Sequence, residues 1–217
     1  MSRLLQQFDP RWSFFRSVQD DSTILELGCG RGENIRAIEG LKTGVTFVGI
    51  DLLDEEDVPQ NITYHKINLE SEPLPYRDAH FDHILFVHVI EHIHDLKLLS
   101  QEIQRVLKPG GTVYIETPNF TSIFVPSFGY RRDQRHPFNF FDDRGHVRPW
   151  TKQSLYEFTR ECGVDVIKLA NTRNWLRLPF DILGIIYGLL TGNRPRIVRH
   201  FWNLYGWNIY AVGRKVT

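Results

Sequence analysis

Two hydrophobic periods alternate along this chain. Short apolar runs at 22–27, 45–50, 61–67, 81–87 and 112–116 have the length and the β-branched or aromatic content of buried strands, and 164–169 and 208–214 read the same way. Between them the spacing is helical. Leu4, Leu5, Phe8, Trp12 and Phe15 form a stripe over residues 3–18 that Pro10 interrupts, and helices are predicted over 31–39, 96–107 and 152–162. Strands alternating with helices predict an α/β domain, and the length of 217 residues suits a single domain, 1–217.

The first strand runs into the most informative stretch, Thr23-Ile24-Leu25-Glu26-Leu27-Gly28-Cys29-Gly30-Arg31-Gly32-Glu33. Glycines there let the backbone turn sharply and approach a ligand closely, with helix N–H groups facing it. A dinucleotide site needs G-x-G-x-x-G, whereas this run is G-x-G-x-G with Glu33 in sixth place. The acid at the strand end, Glu26, opposes a pyrophosphate and suits an ammonium. The second strand ends in Asp51, 19 residues past Gly32, where a carboxylate can accept both hydroxyls of a ribose; a capping role is the plainer alternative. The pocket therefore reads as one for an amino-acid cation beside a nucleoside.

These residues resemble the first motif of the class I S-adenosylmethionine-dependent methyltransferases. The resemblance continues in family order through Phe81-Asp82-His83-Ile84, the following His88-Val89-Ile90-Glu91-His92-Ile93, and Arg105-Val106-Leu107-Lys108-Pro109-Gly110-Gly111 before strand 5, covering residues 22–116. It implies a doubly wound, Rossmann-like sheet of seven strands in the order 3-2-1-4-5-7-6. It also implies S-adenosyl-L-methionine as cofactor, S-adenosyl-L-homocysteine as product, and no metal. By the same resemblance Glu26, Gly28, Cys29, Gly30 and Gly32 form the cofactor turn, and Asp51 with Leu52 holds the ribose. Asn68 and Leu69 bracket the adenine, and His88 lends a backbone carbonyl to the methionine ammonium. The D/N-P-P-Y motif of enzymes that act on planar amide or base nitrogens is absent, which favours an oxygen acceptor.

Residues 117–150 lack a clear period and hold Tyr130, Arg131, Arg132, Arg135, His136 and His146. A loop this long in a compact domain is usually functional, and it reads as a lid over the acceptor. Its P-N-F…G-H-V-R-x-W-T pattern resembles the methionine-biosynthesis-type subfamily, with Thr151 capping the next helix. Asn119, Tyr130, Arg131, His136 and His146 are the candidate acceptor contacts. His146 is the candidate general base, with His88 and His92 as competitors; alternatively His146 pins the loop. At the other end of the chain, Arg11 and Trp12 belong either to a helix covering the sheet or to a lid over the cofactor.

About 35 residues, 172–206, intervene between strands 6 and 7. Apolar and aromatic at first, then basic, they read as a packed helical pair, a dimer face, or a peripheral membrane contact through 175–200. The acceptor is accordingly expected to be a small molecule or a lipid-linked one. A cofactor-binding regulatory protein with little or no catalysis is the alternative from another class.

Lys and Arg number 26 against 26 Asp and Glu, a net charge of 0, which argues against nucleic acid as partner. Two cysteines, no apolar leader and no run of 18 apolar residues point to a reducing, cytoplasmic setting, with the membrane met at most from its surface. The oligomeric state is left open.

Overall fold

The computed structural model describes residues 9–58, 62–125, 127 and 137–216. Tyr130, Arg131 and His136, three of the candidate acceptor contacts, lie outside the described residues, as do Arg132 and Arg135. Seven strands, β1 (Thr23–Leu27), β2 (Thr46–Asp51), β3 (Thr63–Lys66), β4 (Phe81–Val87), β5 (Leu107–Pro118), β6 (Asp165–Asn171) and β7 (Asn208–Arg214), form one sheet. Their order is β3-β2-β1-β4-β5-β7-β6, as expected, with β7 antiparallel to both neighbours and the other pairings parallel.

Alternation along the central strands assigns two faces. Leu25, Leu27, Ile84, Phe86, Val113 and Ile115 pack on one side against α3 (Lys97–Val106) and α4 (Lys152–Glu161). Ile24, Leu85, Tyr114 and Tyr210 pack on the other, against α1 (Pro10–Ser17) and α2 (Glu33–Glu39). The period of two therefore puts Glu26 and Glu116 on the α1–α2 side, at the carboxyl ends of β1 and β5. That single fact of register brings two acids into the site.

The helical stripe is broken near Pro10 as expected: Asp9 is extended and α1 begins at Pro10. The proline ring fits the first helical position, and the Asp9 side chain accepts from the Arg11 N–H to cap the turn. One expectation needs correction. Pro109-Gly110-Gly111 do not make a turn ahead of a strand at 112. Helix α3 gives way to β5 at Leu107, and these residues form an irregularity inside it, where the pairing steps from Phe81↔Leu107 to His83↔Thr112. A Cβ at Gly111 would stand 2.9 Å from the Asp82 carbonyl, so glycine permits that close approach.

The insertion folds as α5 (Leu178–Thr191) and α6 (Arg194–Tyr205). Gly184 meets the His200 ring and Gly188 meets Ile197 at distances no Cβ would allow, so the two helices close tightly on each other. Asp181, fully buried, joins them by accepting from His200 and Asn203, with the Arg177 guanidinium 3.5 Å away as an ion-pair partner.

Candidate active site

The glycine turn after β1 lies in left-handed backbone: Gly28, Gly30 and Gly32 have φ of 66°, 51° and 72°. A Cβ at Gly28 would come within 2.4 Å of Val89 Cγ2, so this position excludes any side chain twice over. The Gly28 and Cys29 N–H groups donate to the Ile50 carbonyl, and the Gly30 N–H donates to Asp51 Oδ2 at 2.8 Å. The other Asp51 oxygen accepts from the Leu52 and Leu53 N–H groups. The carboxylate is thus aimed before any ligand arrives. The Cys29 thiol is turned into the core against Gly49, and burial pushes it up to about 12, so only the main chain of Cys29 is available to a ligand.

Two cavities open at the carboxyl ends of the strands. The first, about 350 Å³, is lined by Gly28, Asp51, Leu52, Asn68, Leu69 and His88, all six predicted as cofactor contacts. Leu52 forms its lip and is 62% exposed. The second, about 460 Å³, is lined by Arg11, Glu116, His146, Trp202, Trp207 and again His88. Among the described residues only His88 and His92 line both, so the chain at the end of β4 is the partition between the two. His88 holds φ at +59°, an uncommon backbone conformation for a residue with a side chain, though one in which His is enriched. Such a conformation costs about 1–3 kcal/mol and clusters at functional sites.

A chain of hydrogen bonds runs behind the partition. Asn34 donates to Glu26 Oε1 at 2.6 Å, and Arg11 donates to Asn34 Oδ1 at 3.3 Å. Arg11 also grips Glu116 with two donors, at 2.8 and 3.3 Å. Asn208 donates to Glu116 Oε1 at 2.8 Å and lies 3.3 Å from His88 Nε2. His88 Nδ1 donates in turn to Glu91 Oε1 at 3.0 Å, and Thr117 donates to Glu91 Oε2 at 2.9 Å. Both ring nitrogens of His88 are therefore engaged.

The three acids respond differently to burial. Burial pushes the Glu26 carboxyl up to about 8, outweighing the Asn34 hydrogen bond and the Arg11 charge, and its Oε2 has no hydrogen-bond partner. Burial also works to raise Glu116, but Arg11 overrides it and the net pKa is lowered. For Glu91 burial is again the largest single influence and raises it, but the His88 hydrogen bond and the nearby His88 and His92 rings together leave it below its ordinary range.

His146 is held by the lid's far end. Its Nδ1 donates to the Phe140 carbonyl at 2.7 Å, its ring packs on Phe140 and His92, and burial lowers its pKa. That hydrogen bond assigns the proton of the neutral ring to Nδ1 and leaves the lone pair on Nε2, 3.9 Å from Asp143 Oδ2, and both residues line the second cavity. Asn119 stands outside both cavity linings: its N–H donates to the Trp207 carbonyl and its amide to the Gly206 carbonyl. It ties the segment after β5 to the insertion.

Sequence reasoning missed Glu116, Asn208, Asn34 and the two tryptophans. Glu116 carried a usable signal, an acid closing the apolar strand Val113-Tyr114-Ile115 just as Glu26 interrupts β1. Trp202 and Trp207 stack at 4.6 Å and donate their indole N–H groups to the Pro137 and Phe138 carbonyls, pinning the lid from a distant part of the chain.

Comparison with known proteins adds descent to this geometry. A family model described as a methyltransferase domain matches residues 2–169. A Mycolicibacterium smegmatis protein, named a probable S-adenosylmethionine-dependent methyltransferase, is 31% identical over 170 residues, covering 76% of this chain and 55% of the relative. A ubiquinone biosynthesis O-methyltransferase of Hydrogenovibrio crunogenus is 28% identical over 114 residues, covering 48% of this chain and 46% of its own. The chain spans about half the length of these curated relatives. Among solved structures, an S-adenosylmethionine-dependent methyltransferase from Mesorhizobium loti shares the fold with a TM-score of 0.64 at 16% identity, covering 97% of this chain and all of that one. Matched over most of its length by the family model and built on the same sheet, the chain belongs to the methyltransferase-domain family, within the class I S-adenosylmethionine-dependent methyltransferases.

Proposed function

We propose that this chain transfers a methyl group from S-adenosylmethionine to a hydroxyl oxygen of a small-molecule or lipid-linked acceptor. The observation that carries the reading is the partition: one residue in strained backbone, His88, lines both a cavity rimmed by nucleoside-type contacts and a second, histidine-lined cavity.

The residues present fit the cofactor. Asp51 offers oxygens to a ribose diol, Leu52 offers an apolar lip to a planar base, and Asn68 can donate and accept along an adenine edge. Beneath the turn, the unpartnered Oε2 of Glu26 is a place for a cation, and the missing side chain of Gly28 makes room for Val89 in the wall of the first cavity. When bound, the cofactor supplies an electrophilic methyl carbon on a sulfonium that departs as a neutral thioether. The chain's own part is alignment and exclusion of water. Arg11, Glu116 and Asn208 hold His88 and so set the partition, while the Trp202–Trp207 stack closes the acceptor side. His146 stands on the acceptor side, in the lining of the second cavity. Such positioning is a large share of catalysis by in-line displacement.

The lipid-linked option is supported by the outer surface of the insertion. Leu183, Ile186, Leu189 and Leu190 of α5 are exposed, Leu190 by 81%, while Arg177 and Asn203 of the same unit line the second cavity. Arg194, Arg196 and Arg199 follow on α6, and beyond Asp165 the chain's only acid is the buried Asp181. An apolar face beside a basic one suits the surface of an anionic membrane, met from the cytoplasmic side. No helix among the described residues is long and apolar enough to cross one. The name of the Hydrogenovibrio relative, an O-methyltransferase, supports oxygen as the acceptor atom.

The test is calorimetric titration with S-adenosylmethionine, followed by a screen of phenolic and lipid-tailed hydroxyl acceptors with and without anionic vesicles. Micromolar cofactor binding with turnover on a hydroxyl acceptor is expected. Leu183→Glu with Leu190→Glu is expected to weaken vesicle binding by about tenfold or more, the worth of one withdrawn leucine. Cofactor binding without turnover on any acceptor class would favour the regulatory reading, and no cofactor binding in folded protein would overturn both.

A further inference from the structure

No metal is expected from the sequence, yet two imidazoles in the lining of the second cavity converge with a buried carboxylate behind them. One ligand atom from each of Glu91, His92 and His146 lies within 4.8 Å of the others. Glu91 and His92 sit in the single helical turn that follows β4, and His146 arrives on the far end of the lid. The two segments are clasped by the Val147 N–H, which donates to the Glu91 carbonyl at 2.7 Å.

We propose that Glu91, His92 and His146 bind one divalent transition-metal cation, whose open coordination positions face the acceptor cavity. Two imidazoles and one carboxylate are a donor set for such ions, and they leave positions for water or substrate. Each donor is prepared for the task. His146 gives its Nδ1 proton to the Phe140 carbonyl at 2.7 Å, the outer-shell bond that orients a metal-binding imidazole and directs its Nε2 lone pair at the ion. Glu91 is fully buried, and each of its oxygens accepts one hydrogen bond, from His88 and from Thr117. A carboxylate offers about four lone-pair sites, so each oxygen retains one for an ion. His92 is packed against Gly145, where a Cβ would stand 2.8 Å from its Nδ1, so the glycine keeps the ring in reach.

The spacing is that of a site ready to contract. Two donors each about 2.1 Å from one ion stand at most about 4.2 Å apart. The observed spread, up to 4.8 Å, closes with a small rotation of His92, the exposed member. Both imidazoles line the second cavity, and Asp143 lines it beside them. A cation here would stand between His146 and the acceptor. The acceptor hydroxyl would bind it and lose its proton to solvent before the oxygen bonds to the methyl carbon. That consequence rests on the function proposed above; the binding of the ion does not.

The experiment uses the full chain stripped with chelator and dialysed, titrated with Co²⁺ followed by visible absorption and with Zn²⁺ by competition. One equivalent is expected to bind, with ligand-field bands that appear in wild type and in His94→Ala, a variant of a neighbouring histidine whose side chain is 74% exposed. His92→Ala and His146→Ala are each expected to weaken binding by more than about tenfold, the loss already expected for an outer-shell partner. S-adenosylmethionine binding is measured on the same samples, so that loss of fold, or failure of the cofactor reading, registers separately. Folded wild type that binds no more Co²⁺ than the His92→Ala/His146→Ala double variant would overturn the proposal.

Discussion

The two cavities that meet at His88 are built on opposite principles. The first draws on consecutive residues at the ends of adjacent parallel strands: the turn after β1, Asp51 and Leu52 after β2, Asn68 and Leu69 after β3. The second collects single residues from an N-terminal helix, the ends of β5 and β7, the lid and the insertion. One is a local device repeated along a sheet edge. The other exists only once distant segments have folded together, which leaves it free to differ between proteins that share the first.

This contrast can be broken most forcefully at Gly28. Gly28→Ala places a methyl against Val89 in left-handed backbone, and is expected to cost about 2–4 kcal/mol of stability. The melting temperature should fall by roughly 5–10 °C and calorimetric cofactor binding should be lost. Retained binding would mean that the close approach is not used. On the other side of the partition, His146→Ala is expected to lower turnover by about a hundredfold while leaving cofactor affinity within about twofold, in steady-state kinetics beside calorimetry. If the two constants fall together, the cavities are not separable.

Asp51→Ala sharpens the comparison on the cofactor side. Loss of the ribose acceptor should weaken S-adenosylmethionine binding by about tenfold, or about 1.4 kcal/mol. The smallest effect concerns Glu26. Burial raises its carboxyl from 4.5 to about 8, so between those values the folded chain binds a proton that the unfolded chain has lost. Stability then falls as pH rises through that window. Glu26→Gln should flatten this fall in thermal melts recorded from about pH 5 to about pH 8. If the Glu26 Oε2 meets the ammonium of the cofactor, binding at neutral pH should also release a proton, visible as a dependence of the calorimetric heat on the buffer's ionisation enthalpy. A heat independent of buffer would remove Glu26 from the ligand.

The same contrast explains what the sequence disclosed. The strands and the glycine turn were legible because local spacing encodes them, as apolar runs and glycines at alternate positions; the strand order came from the family resemblance, since no local spacing carries it. His146 was legible as a residue but not in its setting, since Phe140, Glu91 and His92 reach it only through tertiary folding. Glu116 and Asn208 were hidden for another reason. They are ordinary-looking ends of β5 and β7, and only the antiparallel pairing that sets Glu116 against Tyr210 and Pro118 against Asn208 brings them under His88.

The most direct test of the account is a crystal structure of the chain with S-adenosyl-L-homocysteine. The account predicts ribose hydroxyls on Asp51, adenine between Leu52 and the Asn68–Leu69 segment, and sulfur at the His88 partition facing the second cavity. An adenosine seated instead among Arg11, Glu116 and Trp207 would contradict it, because the acceptor would then have no cavity of its own.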